Sequence, residues 1–241
     1  MAERLRRGAG PSVTDLVLTL DERAGLISYL GRLVGLDNRG SVRLQASGPV
    51  LGVWGGPPLE VVTLRPVALS VALELDLTVS AQRLLDRLQE AASGSVSLPD
   101  SVAASNPVPL PDSVSGPAWA GLLPPRSGWS PLATVPASSV FDAVRVGIEA
   151  FGRRVALLRE EQRTRAALDA VAADVWNRPV VAGVPLRAAH AAELTGLLGR
   201  EGEVTAFESP TWQRLSCPGG SVALRKDSGS GLALGVWALG R

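Results

Sequence analysis

One histidine, one cysteine, one tyrosine and one lysine set a narrow limit on the chemistry this chain of 241 residues can perform. A Ser-His-Asp arrangement would have to use His190. That residue lies among alanines in a stretch with helical periodicity, where a lone imidazole is more often packed than a general base. Cys217 precedes Pro218 with no histidine near it in sequence, so it reads as a small buried hydrophobe and not as an activated thiolate. With a single cysteine there is no intrachain disulfide and no thiolate cluster for a metal, and the sequence calls for neither metal nor cofactor. Paired carboxylates need neither His nor Cys. Glu74 and Asp76 share one face of an alternating strand, the spacing of an acid/base pair, but such a face is ordinarily just solvated. Gly229-Ser230-Gly231 with Gly235 mimics half of a dinucleotide fingerprint, yet a strand pattern and not a helix follows it, so a turn is the better reading.

Aromatic and cationic side chains offer more. Six tryptophans stand against three Phe and one Tyr. Trp176-Asn177-Arg178 and Trp212-Gln213-Arg214 each place an arginine two residues from an indole. On a strand Trp212 and Arg214 share a face, which permits cation–π recognition of a partner or an anion. Arg187 and His190, on one predicted helix, could join them. Trp119 and Trp129 fall in a Pro-rich stretch. Trp119, Trp129, Trp176, Arg178, Arg187, His190, Trp212 and Arg214 are therefore the candidate ligand- or partner-binding residues. The simpler alternative is that the indoles anchor cores.

The elements that must position these residues follow from periodicity. Asp21 opens a helix whose apolar face is Ala24, Leu26, Ile27, Leu30, Leu33 and Val34. Extended runs come next at 41–46, 50–54 and 59–64, separated by Ser47-Gly48-Pro49 and Gly55-Gly56-Pro57-Pro58, which suit hairpin turns. Residues 73–79 alternate strictly, and Ser80 caps a helix to about Ala92. Half of the 18 prolines then fall between Pro99 and Pro136, which rules out a regular helix or a central strand there. The tryptophans of this stretch imply an arm packed on the body. Helices are expected from Ser138 or Ser139 to Leu158, over 160–177 and over 185–198. Four strands close the chain, at 203–208, 211–216, 221–225 and 232–238.

The two ends share an order of elements. Gly40-Ser41-Val42-Arg43-Leu44 is paralleled by Gly202-Glu203-Val204-Thr205-Ala206, Trp54 by Trp212, and Leu51-Gly52-Val53-Trp54 by Leu234-Gly235-Val236-Trp237. The expected fold is α+β, with two similar helix-plus-antiparallel-sheet halves in the manner of a pseudo-twofold duplication, intervening helices and a Pro-rich arm. The expected divisions are 1–12 as a flexible N-terminus, 13–92 as the first half, 93–137 as the connection and arm, and 138–241 as the second half.

Several strings are similar to an uncharacterised family of actinobacterial hypothetical proteins: Leu51-Gly52-Val53-Trp54-Gly55-Gly56-Pro57-Pro58, Gly116-Pro117-Ala118-Trp119-Ala120-Gly121, Pro124-Pro125-Arg126-Ser127-Gly128-Trp129, Trp176-Asn177-Arg178-Pro179 and Leu186-Arg187-Ala188-Ala189-His190-Ala191. The resemblance implies no activity, cofactor or catalytic residue. In architecture alone, a duplicated helix-plus-sheet body also looks like the chaperones of the mycobacterial type VII secretion system.

Composition narrows the partners. Lys+Arg is 24 and Asp+Glu 23, a net charge of +1, without the basic excess from which nucleic-acid binders draw their affinity. Arg153, Arg154, Arg159, Arg163 and Arg165 form a basic run, but Glu160, Glu161 and Asp169 interrupt it. No nucleic acid and no membrane is therefore expected. The N-terminus lacks a signal-peptide pattern and no apolar run approaches a membrane span, so the expected compartment is the cytoplasm. The reading that follows is a non-enzymatic interaction module, an adaptor or chaperone-like scaffold with a protein partner or a second copy of itself. The alternative is a small-molecule binder or hydrolase, with a Trp/Arg-lined cleft between the halves holding a small anionic ligand.

Overall fold

The computed structural model describes residues 15–93 and 106–226. The expectations for residues 1–12, for the Pro-rich connection as far as residue 105, for the Gly229-Ser230-Gly231 turn and for the strand at 232–238 fall outside the described residues.

Strand β1 (Asp15–Leu16) leads into helix α1 (Leu20–Leu36). The cap is Thr19 and not Asp21: the Thr19 hydroxyl accepts from the amide of Glu22, while Asp21 and Glu22 occupy the first turn, where a negative charge suits the helix dipole. Two long strands follow, β2 (Ser41–Gly55) and β3 (Val62–Ser80), where four short ones are expected. Ser47-Gly48-Pro49 is not a hairpin turn. Gly48, at φ +91, takes up a bulge, and the ladder to β3 resumes at Val50. The real reversal is at Gly56–Val61. Helix α2 (Ala81–Ser93) starts at Ser80, whose hydroxyl accepts from Arg83 N–H.

The arm resumes with β4 (Val108–Pro109), paired with β1, and makes a 3-10 turn at Ala118–Gly121. It then becomes β5 (Ser130–Pro136), an edge strand in which Pro131 and Pro136 withhold no hydrogen bond that a central strand would need. Helix α3 (Ala137–Leu157) and helix α4 (Arg165–Trp176) follow. Residues 160–162 form a separate 3-10 turn, because Thr164 caps α4 by accepting from the amide of Ala167. The hairpin β6 (Pro179–Val181) and β7 (Val184–Pro185), unforeseen in the sequence, turns on Ala182-Gly183, both at positive φ. Helix α5 (Leu186–Leu194) and strands β8 (Glu203–Glu208), β9 (Trp212–Cys217) and β10 (Gly220–Arg225) complete the described chain.

β2, β3, β10, β9, β8 and β5 form one antiparallel six-stranded sheet in that order. The two halves join where β3 pairs with β10, Val62–Leu64 against Ser221–Ala223. Because opposite residues share a face, the registers sort the side chains cleanly. One face carries Val42, Leu44, Leu51, Val53, Val222, Leu224, Leu215 and Val204, buried in a single core with Leu26, Leu30, Leu84, Leu88, Val140 and Val144 of the helices. The other face carries Trp54, Val62, Ala223 and Trp212, and against it pack Trp119, Leu123 and Trp129 of the arm.

Candidate functional site

The eight candidate side chains part into a buried pair, one exposed arginine and a group of five on the arm-covered face. Trp176 at the end of α4 and His190 in α5 stack at a centroid separation of 4.3 Å, with Phe151 of α3 at 6.2 Å from the indole. Both are buried, and His190 Nδ1 lies 3.5 Å from Glu193. No approach from solvent exists that a general base would need. Arg178 is exposed and bound to Asp174 of its own helix turn. Cys217 is buried, and burial pushes its thiol up to about 12, so the thiolate is withheld at neutral pH. Glu74 and Asp76 point outward together, as their alternation implies, but each is engaged. Asp76 takes bonds from Arg43 at 2.8 and 2.9 Å and from Gln45 at 3.1 Å, and Glu74 takes one from Ser47 at 3.1 Å. The hydrogen bond from Arg43 holds the Asp76 carboxyl below its ordinary range, which suits an ion-pair partner and not a proton donor. Among the described residues no group of three or more His, Cys, Asp and Glu is placed to hold a metal ion.

The other candidates converge on the arm-covered face. Trp119, Arg187 and Trp212 line one open groove of about 360 Å³, with Val62, Leu122, Ala223, Arg225, Glu60 and the Pro57 turn. It lies at the end of the sheet where β2 turns into β3 and where β9 begins and β10 ends, so both halves build it. Arg225 stands across from Trp212 in the ladder, its guanidinium 5.9 Å from the indole centroid. Beside the groove, Arg214 is held between Trp129 at 4.4 Å and Phe207 at 4.7 Å. Arg187 reaches the groove from the first turn of α5. It is 3% exposed and donates to the side-chain oxygen of Asn177.

Local sequence explains how the arm is seated. A Cβ on Gly56 would fall on the Trp119 indole, so glycine there is what admits the ring. Arg43 on β2, while paired with Asp76, also donates to the carbonyl oxygen of Ala120 and ties the 3-10 turn to the sheet. Trp129 Nε1 donates to Pro125 O at 2.8 Å. Leu122, 56% exposed, is left at the open side of the groove. Sequence reading finds the Pro-rich arm, on which Leu122 lies, but misses Glu60, Val62, Ala223 and Arg225. Their signal was the Gly-Gly-Pro-Pro turn, which brings the start of β3 to the groove, together with the register that sets Arg225 opposite Trp212.

Two family models match successive parts of the chain. Residues 13–121 match the profile of one domain of unknown function (DUF8010), and residues 124–229 that of another (DUF8185). Among curated proteins none matches the sequence. In fold, the chain is similar to bacterial DNA polymerase sliding clamps. The clamp of Caulobacter crescentus aligns with a TM-score of 0.50 at 16% identity, over 90% of this chain and 66% of that one. The DNA polymerase III subunit beta of Borrelia burgdorferi aligns with a TM-score of 0.53 at 9% identity, over 90% of this chain and 65% of that one. The chain thus spans just under two thirds of the length of these clamps, and at such identity the likeness is one of fold. It corrects one expectation. The exclusion of nucleic acid, drawn from the balanced charge, is overturned, because the chain carries the fold of proteins that are DNA polymerase clamps. Among the described residues no helix is long and apolar enough to cross a membrane.

Proposed function

We propose that this protein is a non-enzymatic, clamp-like scaffold that docks partner proteins in the groove between its two domains. The observation that carries the reading is the groove itself: two indoles and an exposed leucine between arginines, open to solvent and built from both halves. Aromatic and arginine side chains in a partly desolvated recess are the usual makings of an interaction hot spot. The catalytic inventory supports it from the other side, since His190 and Cys217 are buried and Asp76 is paired. The small-molecule alternative is weakened because, of Trp176, Arg178, Arg187, His190, Trp212 and Arg214, only Arg187 and Trp212 line the groove, while Trp176 and His190 stack in the core. A duplication of one helix-plus-sheet unit fits the repeated order of elements, and it places Trp54 and Trp212 on the same face of the joined sheet.

The test is affinity capture of the tagged full-length chain from its own host, beside Leu122→Glu and Arg225→Glu. Both side chains lie at the rim, so folding should be unaffected. A partner held by the native chain and lost by at least tenfold in both variants is the expected result. A partner set unchanged in both would overturn the assignment of the groove.

Duplex DNA enters the proposal through the fold. Of the arginines on the helical side, Arg145 and Arg153 lie 3.7 Å from Glu149, and Arg154 is paired with Asp174. Such a contact would be weak and strongly salt-dependent. Retention of duplex DNA at low salt, reduced in Arg145→Gln/Arg153→Gln, is the outcome that supports it. Equal retention by that variant would place any DNA contact elsewhere.

A further inference from the structure

The groove and its margin carry Arg187, Arg214 and Arg225 against a single acid, Glu60. Elsewhere the molecule sets its cations on carboxylates: Arg43 on Asp76, Arg87 on Glu90, Arg165 on Asp169, Lys226 on Glu208. Arg214 and Arg225 are treated differently. Among the described residues neither is ion-paired, and aromatic rings stand where an acid would: Trp129 and Phe207 about Arg214, Trp212 beside Arg225. A ring face offsets a cation only in part. Arg214 is partly buried, its Nε has no hydrogen-bond partner, and the desolvation lowers its pKa. A guanidinium so placed gains most from an anion that fits its fork, as a carboxylate does.

The ladder sets these charges around an apolar floor. Arg225 is opposite Trp212 and Arg214 is opposite Ala223, so the two arginines are diagonal neighbours on the outer face, with backbones about 7–8 Å apart. Trp212 and Ala223 lie between them, and Val62 and Leu122 extend the apolar surface. An occupant must therefore bring an apolar group and a negative charge side by side. Trp212 is only 7% exposed, and the Trp119 indole packs on Gly56. The rings wall the recess and leave no pair of free faces for nucleotide bases to stack on, whereas the aliphatic lining suits an apolar side chain.

We infer that the groove recognises an acidic peptide segment of a partner protein. A large aliphatic or aromatic side chain sits on Val62, Trp212 and Ala223, and an aspartate or glutamate next to it is held by Arg225, with Arg214 set for a second acid. This rests on the docking reading above and names the chemistry of its partner.

The probe is a displayed library of random linear peptides, selected on the full-length chain, with the enriched peptides synthesised and titrated by fluorescence polarisation. Enriched sequences are expected to place Asp or Glu beside Leu, Phe or Trp. Their affinity should fall about tenfold in Arg225→Gln, the scale of one lost charge-assisted hydrogen bond. It should be partly restored in Arg225→Lys and decline with added salt. Arg225→Glu should instead select Lys or Arg at the place of the acid. Arg225 is exposed at the end of β10, so these variants keep the fold, which their thermal midpoints check. Enriched peptides without an acidic position, affinity indifferent to Arg225→Gln, or failure to enrich any peptide would each overturn the proposal. So would displacement by an oligothymidylate as effective as by unlabelled peptide, which assigns the groove to a nucleic acid. The two readings fail separately. Peptides that need Leu122 but carry no acid sink the charge recognition and leave the groove a docking site. Acidic peptides that need Arg225, in a chain whose captured partners are unchanged by Leu122→Glu and Arg225→Glu, do the reverse.

Discussion

Two tryptophan sites in this molecule use the same ingredients to opposite ends. Trp176 and His190 lie face to face inside the helical layer, 4.3 Å apart, sealed by Phe151 and Leu186. Trp119 and Trp212 stand on the outer face of the sheet with Arg225 and Leu122, around open space. An aromatic beside a nitrogenous side chain is therefore no sign of a site by itself. What separates the two is whether the backbone brings a further layer over them. The helices do so on one face, whereas on the other only an irregular Pro-rich arm crosses, and it leaves a gap at the domain seam.

The contrast is sharpest in stability. Trp176→Ala should cost about 3–5 kcal/mol, the range for emptying a large buried aromatic site, and should lower the thermal midpoint accordingly. Leu122→Ser, on the groove, should leave that midpoint within about 0.5 kcal/mol of its native value. A Trp176→Ala chain as stable as the native one would remove the distinction. Gly147→Ala comes next. Its methyl would meet the Leu186 side chain and the Trp176 ring, an overpacking cost of about 1–3 kcal/mol measurable by denaturant titration. Gly56→Ala has the matching clash on the groove side, against Trp119. Because the arm can shift outward, the expected result is a smaller loss, below about 1 kcal/mol, accompanied by a red shift of Trp119 fluorescence.

A weaker effect concerns the arm's tie. The Asp76 carboxyl is held below its ordinary value in the folded chain by Arg43. Its stabilisation is therefore full above the unfolded pKa and is lost as pH falls through the lowered folded value. Asp76 is half exposed, so screening keeps the effect under about 1 kcal/mol. Stability should decline slightly at acid pH, and this part of the decline should vanish in Arg43→Met. Smallest of all, Cys217 should fail to react with a thiol reagent at pH 8 until the chain is unfolded. Rapid labelling of the native protein would show the core face to be more open than its packing implies.

Much of the scaffold was legible in the sequence. The 2-residue alternation at 73–79 sets the face of β3, with Leu73, Leu75 and Leu77 against the core and Glu74 and Asp76 outward. The 3.6-residue pattern after Thr19 finds α1, although the cap lies two residues before Asp21. Where local signals mislead, a longer-range partner decides. Ser-Gly-Pro at 47–49 carries every mark of a turn, yet continuous pairing of β2 with β3 on either side turns it into a bulge. The candidate site was half legible. Residue type selects Trp119, Trp129, Arg187, Trp212 and Arg214, but nothing local separates them from Trp176 and His190. That separation depends on the pairing of β3 with β10, a contact between residues about 160 apart in sequence, and so do Val62 and Arg225 as neighbours of Trp212. The balanced composition misled most, since it set nucleic acid aside for a chain whose fold is that of DNA polymerase clamps.

The central claim is that partners engage the outer groove at the domain seam. It is tested most directly by placing a photoreactive amino acid at Leu122, on the groove, and separately at Ile148, exposed on α3 of the helical layer, then irradiating cells of the native host. Discrete protein adducts at Leu122, lost when Arg225→Glu is added, with none of the same mass at Ile148, are the expected result. The same adducts at both positions, or adducts at Ile148 alone, would contradict it.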